Sequence, residues 1–269
     1  MPSVGKPIPH DSAVGHVTGR AWYIDDLPAM AGELHVGFVG SPAASGVLRG
    51  VDLRAALAVP GVVAALTAAD VPGHNRFGLL AIDEPFLAEE ELLYIGQPVA
   101  VIAAETPEAL ARGRQAVALQ VEERPPLLEL EDSIGQQSFL GSRRVACGDC
   151  EAELAAAPHR LAGELRIGGQ EQFYLESQAA IAYPGEEGQM VVHSSTQNPT
   201  EIQSVVAEML GRGSHEVVCV CKRMGGGFGG KETQSAIPAA MGALAAVKTR
   251  PPARIVLAKD EDMRVTGKR

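Results

Sequence analysis

The residues best equipped for chemistry lie in one run, Lys222-Arg223-Met224-Gly225-Gly226-Gly227-Phe228-Gly229-Gly230-Lys231-Glu232-Thr233. Five glycines fall within six consecutive positions, 225 to 230. Glycine admits positive φ and lets a ligand approach the main chain closely. The run joins an apolar strand-like stretch, 216–221, to a helical pattern over 233–248. A helix start presents unpaired N–H groups that favour anions. The expectation is a backbone cradle for an anion or an oxo ligand. A plain strand-to-helix turn would use one or two glycines and gives no reason for Phe228 among them.

Two chemistries compete for that cradle. Gly225, Gly230 and Lys231 fit the phosphate-loop spacing G-x-x-x-x-G-K. The next residue should then be Ser or Thr, whose hydroxyl ligates magnesium. Glu232 stands there instead, and its carboxylate would repel phosphates. Thr233 comes one residue late. Magnesium-dependent nucleotide binding is not expected. The four cysteines offer little else. Cys147-Gly-Asp-Cys150 has the spacing of a redox or zinc pair. Zinc would need two more ligands at similar spacing, so the segment is read as a loop in which Asp149 caps a short helix over 151–157.

These residues need elements to position them. Residues 1–15 read as an extended lead-in. Strands are expected at 34–39, 62–67, 99–104, 117–122, 161–167, 179–183, 190–193, 216–221 and 254–258. Thr106-Pro107-Glu108 and Asn198-Pro199-Thr200-Glu201 are helix starts, each a capping residue followed by proline and an acid. Their helices should reach about 117 and 210. A short helix is expected at 53–58. Weak periodicity over 127–145 suggests a linker, with a domain boundary near 135. The acids Asp260 to Asp262 read as a solvated loop.

Bulk properties remove several function classes. Of 269 residues, 46% are hydrophobic and 21% charged, a globular balance. Aromatics are only 4%, so the core should be built from Val, Leu, Ile and Ala. A net charge of −10 leaves no basic face for nucleic acid. No apolar run approaches the ~20 residues of a membrane span. The N-terminus lacks a signal-peptide pattern, so the cytoplasm is the expected location.

The run Met224 to Glu232 resembles the cofactor loop of the xanthine oxidase family of molybdenum hydroxylases. Other landmarks of that family follow in order. Gly168-Gly169-Gln170-Glu171-Gln172-Phe173-Tyr174-Leu175-Glu176 resembles its strand-and-turn signature, with Gln172 where the family usually has His. Ser195-Thr196-Gln197-Asn198 resembles the segment carrying its metal-facing glutamine. Lys259-Asp260-Glu261-Asp262-Met263 and Thr266-Gly267-Lys268-Arg269 resemble the stretch beyond the cradle. Gly19-Arg20-Ala21, Tyr23-Ile24-Asp25-Asp26 and Gly96-Gln97-Pro98-Val99-Ala100 resemble parts of its α/β hammerhead domain. The resemblance covers nearly the whole chain. It implies an α+β fold: a lead-in and α/β hammerhead domain over 1–135, then the first part of a molybdopterin-binding α+β domain over 136–269.

The resemblance also implies chemistry. A molybdenum centre on a molybdopterin would hydroxylate hypoxanthine or xanthine, yielding urate, with oxygen taken from water. Gln197 would donate its amide to an oxo ligand. Gly227, Phe228 and Gly229 would belong to the cofactor site, Phe228 and Gly229 nearest the metal, with the Gly229 N–H offered to an oxo group. Glu232 would be the catalytic carboxylate facing the substrate. Purine-oxidising members resemble this chain in having Glu there, whereas aldehyde-oxidising relatives usually have an apolar residue. Lys231 and Arg223 would either lend charge near a pterin phosphate or be solvated. Glu171 and Glu176 have no assigned role. The chain has no four-thiolate set for an iron–sulfur cluster and no dinucleotide fingerprint. A partner subunit carrying FAD and two-iron two-sulfur clusters is therefore implied, in a hetero-oligomer. The family's general base and a substrate-binding arginine lie beyond the equivalent of Arg269, so this chain alone is expected to be inactive. The alternatives are a non-catalytic assembly module and an aldehyde-oxidising relative.

Overall fold

The computed structural model describes residues 4–78 and 81–268. Residues 1–3 of the lead-in and Arg269 of the closing motif lie outside the described residues. The strands are β1 (Leu34–Gly40), β2 (Gly46–Asp52), β3 (Val62–Thr67), β4 (Arg76–Phe77), β5 (Glu84–Pro85), β6 (Glu91–Leu92), β7 (Pro98–Ala104), β8 (Ala118–Glu123), β9 (Ala179–Pro184), β10 (Met190–Ser194), β11 (Val217–Val220) and β12 (Ala253–Val256). The helices are α1 (Ala13–Val17), α2 (Arg54–Leu57), α3 (Pro107–Ala116), α4 (Leu130–Gly135), α5 (Cys150–Ala156), α6 (Pro199–Leu210), α7 (Ala236–Thr249) and α8 (Lys259–Val265).

A mixed seven-stranded sheet runs in the order β11-β10-β9-β12-β1-β7-β3. β10 with β11 and β1 with β12 are parallel; the other pairs are antiparallel. β7 is buried at all seven positions, as a strand covered on both faces must be, and its sequence is correspondingly a continuous apolar run. A small sheet, β6-β2-β8, stands beside it. α7 packs against β9 and β12 with residues 236 to 246 all buried. Its many alanines let it lie close to the strands, while Ile237, Met241 and Leu244 each contribute about 2 kcal/mol by leaving water. Arg254 on β12 ties the early chain to this sheet. It donates to Glu33 (2.5 Å) and to the carbonyls of Ile24 (3.1 Å) and Leu27 (2.8 Å).

The helix starts behave as their sequences dictate. Thr106 Oγ1 accepts from the Ala109 N–H at 3.1 Å. Asn198 Oδ1 accepts from the Glu201 N–H at 3.2 Å, and Gly211 closes α6 in the left-handed conformation. Asp149 caps α5 through the Ala152 N–H, with Cys147 and Cys150 free and exposed.

Three local expectations are corrected. Residues 161–167 form no strand: no described strand pairs with them, and an extended run without a partner leaves its backbone groups to water. The acids 260–262 belong to α8, and Asp262 is buried, accepting from the Tyr174 hydroxyl (2.6 Å) and the Gln178 N–H (2.8 Å). α7 begins at Ala236, three residues late, because residues 232–235 form a turn.

The chain divides into one unit of Met1–Arg124 with Glu171–Arg269 and a second of Pro125–Gln170. The second unit holds α4 and α5 and the ion pairs of Arg166 with Glu131 and Glu164. The division expected near residue 135 falls inside this second unit. Strands from both sides of it share the seven-stranded sheet, since Leu34 of β1 pairs with Ala253 of β12.

Candidate functional site

Two neighbouring parallel strands build the site. β10 and β11 run side by side, His193 opposite Val220, so their carboxyl ends open at the same end of the sheet. The segment after β10 is Ser195 to Asn198; the segment after β11 is the glycine run. Parallel pairing therefore brings Gln197 to the glycines, although 30 residues separate it from Gly227 in the sequence (227 minus 197). Ligand sites commonly form beyond such strand ends.

The contact is direct. Gln197 donates its backbone N–H to the Lys231 carbonyl (2.8 Å). Its Oε1 accepts from the N–H of Gly229 (2.9 Å) and of Lys231 (3.3 Å). Two backbone donors on one amide atom identify it as the oxygen. The Nε2 donors have no partner among the described residues, and the residue is exposed. Gly227 makes this fit possible: a Cβ there would lie 2.5 Å from Gln197 Oε1. At the other end of the run, a Cβ on Gly225 would lie 2.4 Å from the Glu176 Cβ.

Phe228 has φ +52° and is 65% exposed. Left-handed backbone costs a non-glycine residue about 1 kcal/mol, and exposing a large ring forfeits its burial. Phe228 is therefore not a core anchor among the described residues; Phe173 shares both features, with φ +48° and 64% exposure. Glu232 is exposed and faces water. Burial raises the pKa of Glu201; the Asn198 amide opposes that rise and the Glu232 charge adds to it. Glu232 is thus close to the α6 cap.

The structure brings Gln197 against Gly227 and Gly229, and four expectations change. The Gly229 N–H is not offered outward. A tight turn, closed by Gly230 N–H to the Gly227 carbonyl at 2.7 Å, directs it to Gln197. Lys231 is neither solvated nor aimed at a phosphate, since its side chain is completely buried. Burial lowers its pKa and the Glu176 carboxylate pulls it back up, with burial prevailing. Arg223 holds the early chain, donating to the Trp22 carbonyl (2.8 Å) and Ser12 Oγ (3.1 Å). The first turn of α7 is no anion site either, because the Ala236 and Ile237 N–H groups bond the carbonyls of Thr233 and Gln234. Sequence reading left Glu176 without a role. No local pattern marks it, because its partner Lys231 lies 55 residues away.

The side-chain donor at the site is neutral, the Gln197 amide, since the N–H groups of Gly225, Gly229, Gly230 and Lys231 are bonded within the protein. Such a group orients the oxygen ligands of a metal that arrives already coordinated, without displacing them. The spaces beside Gly225, Gly227 and Gly230 are filled by Glu176, Gln197 and Tyr174, and within the run Gly229 alone has open space where a Cβ would stand. A neutral amide beside the open face of Gly229 fits a metal carried on its own organic cofactor.

A family model described as "Molybdopterin cofactor-binding domain" matches residues 133–269. Another, "Aldehyde oxidase and xanthine dehydrogenase, a/b hammerhead domain", matches residues 18–125. The chain belongs to the xanthine oxidase family of molybdenum hydroxylases. It is 42% identical to a xanthine dehydrogenase/oxidase of Rattus norvegicus, over 99% of this chain and 20% of that protein. It is 43% identical to a xanthine dehydrogenase of Emericella nidulans over the same shares. The chain thus spans about a fifth of the length of these relatives. Among solved structures, the aldehyde oxidoreductase of Desulfovibrio gigas superposes with a TM-score of 0.84 at 26% identity, covering 97% of this chain and 31% of that one. The family's mixed architecture, a hammerhead domain followed by a molybdopterin-binding domain, is the α+β arrangement the sequence implied.

Proposed function

We propose that this chain forms one wall of a molybdenum site that hydroxylates a purine, hypoxanthine or xanthine, as in a xanthine dehydrogenase. The observation that carries the reading is the orientation of Gln197. Its oxygen is occupied by the glycine run, so its amide donors are held ready for an oxo ligand beside Phe228 and Glu232. When bound, the molybdopterin supplies a metal that accepts two electrons as a water-derived oxygen reaches a ring carbon next to nitrogen. Gln197 orients that centre. Phe228 offers a ring to a flat heterocycle. Glu232 accepts a ring N–H and so fixes the purine's orientation toward the metal.

The electrons leave through a partner subunit bearing two-iron two-sulfur clusters and FAD, in a cytoplasmic hetero-oligomer. Aldehyde oxidation is the second reading, favoured by the likeness to the Desulfovibrio gigas enzyme; Glu232 favours purine, since an aldehyde has no ring N–H to meet it. Metal analysis and product analysis in 18O-labelled water test the proposal. The native protein, purified with its associated chains, should contain molybdenum and place labelled oxygen in urate. Absence of molybdenum would remove the proposal altogether.

A further inference from the structure

Lys231 does more than close the glycine run. Its ammonium is sealed from solvent, and each of its three donors is met: the Glu176 carbonyl (2.6 Å), Ser195 Oγ (2.7 Å) and Glu176 Oε2 (3.2 Å). The Tyr174 ring lies 4.6 Å from Nζ. Glu176 Oε2 also accepts from the Gly225 N–H (2.7 Å) and the Ser195 hydroxyl (2.5 Å). The two ends of the run, Gly225 and Lys231, therefore meet on one carboxylate. The backbone of Lys231 holds Gln197 from the opposite side. Its carbonyl accepts the Gln197 N–H (2.8 Å) and the Thr196 hydroxyl (3.1 Å), and its N–H reaches Gln197 Oε1 (3.3 Å).

We propose that Lys231 and Glu176 are positioning residues: their buried ion pair, with Ser195, fixes the peptide units that aim the Gln197 amide. The inference rests on the reading that Gln197 serves the molybdenum centre. A buried pair of this kind is a weak source of net stability, because desolvation offsets attraction. It is a strong source of geometry, because both charges need all their hydrogen bonds at once. Tyr174 and Gln178 brace the same run. Tyr174 is anchored by Asp262, and Gln178 Nε2 donates to the Gly230 carbonyl at 2.8 Å.

The test uses the native protein with its associated chains and the variants Lys231→Met, Glu176→Gln, Gln197→Ala and Lys231→Met/Gln197→Ala. A misplacement near 1 Å costs about 100-fold in rate, so Lys231→Met should lower kcat by about tenfold or more, with KM and molybdenum content little changed. Adding Lys231→Met to Gln197→Ala should lower kcat by less than about twofold, the signature of two residues acting through one interaction. A crystal structure of Lys231→Met should show Gln197 Oε1 withdrawn from the Gly229 N–H. Should Lys231→Met fail to fold, Glu176→Gln, which keeps the volume and one accepting oxygen for Gly225, Ser195 and Lys231 but removes the charge and the bond from the Ile24 N–H, carries the same readouts with a smaller loss. Full additivity of the two substitutions, or an undisplaced Gln197 in Lys231→Met or Glu176→Gln, overturns the proposal. The crystallographic readout stands apart from substrate: a native protein that oxidised only aldehydes would sink the purine reading and leave this one to be judged by the position of Gln197.

Discussion

Glu232→Ala should lower purine turnover by about 100-fold, the loss expected when a substrate is misplaced by about 1 Å. Molybdenum content should stay at its native level, since the donors toward the cofactor are Gln197 and its neighbours. Stability should also stay within about 0.5 kcal/mol, as expected for an exposed residue outside a packed network. That combination separates a substrate-facing carboxylate from a helix-dipole partner. A first-turn acid would lose a few tenths of a kcal/mol of stability and leave kcat alone. The turn at 232–235 already weakens the dipole explanation, because α7 starts only at Ala236. Steady-state kinetics, thermal melting and metal analysis on the same preparation decide between them. Undiminished turnover in the alanine variant would end the substrate role of Glu232.

Gly227→Ala should separate positioning from folding even more sharply. The new methyl would sit 2.5 Å from Gln197 Oε1 and 2.8 Å from its Cδ. Those atoms are the far end of a flexible side chain, so the amide should swing away while the sheet and α7 stay in place. The expected outcome is a loss in kcat of about 100-fold with a stability loss of only about 1 kcal/mol. Gly225→Ala makes the opposite contrast. Its methyl would meet the Glu176 Cβ at 2.4 Å and the Glu176 backbone nitrogen at 3.3 Å, neither of which can swing aside. That variant should melt at a lower temperature as well as lose activity. Melting curves and kcat for the pair check the distinction. Equal stability losses in the two would show that Gly227 is merely a packing glycine.

Much of the scaffold was legible because it follows local rules. Continuous apolar runs marked β7 and β9, and cap-proline-acid triplets marked α3 and α6. The glycine run and Gln197 were legible as a site through their resemblance to a family, and parallel pairing of β10 with β11 supplies the physical reason they meet. Features settled by partners distant in the chain were not legible. Residues 161–167 carry a strand-like composition but have no partner strand. Asp260 to Asp262 look like a solvated acidic loop, yet Tyr174 and Gln178 draw Asp262 inside. Lys231 follows the glycines beside Glu232, an acid that turns to water, and only the folded chain delivers Glu176 and Ser195 to its ammonium. The Gly229 N–H pointed the wrong way in the expectation because a turn's internal bond, Gly230 to Gly227, is invisible in composition.

The most direct measurement is the ratio of kcat/KM for xanthine over an aromatic aldehyde in the native, molybdenum-replete protein. A site that hydrogen-bonds a purine through Glu232 leaves that carboxylate unmet when an aldehyde binds, so xanthine should be favoured by about 100-fold or more. A ratio near one, or one favouring the aldehyde, would contradict the purine assignment.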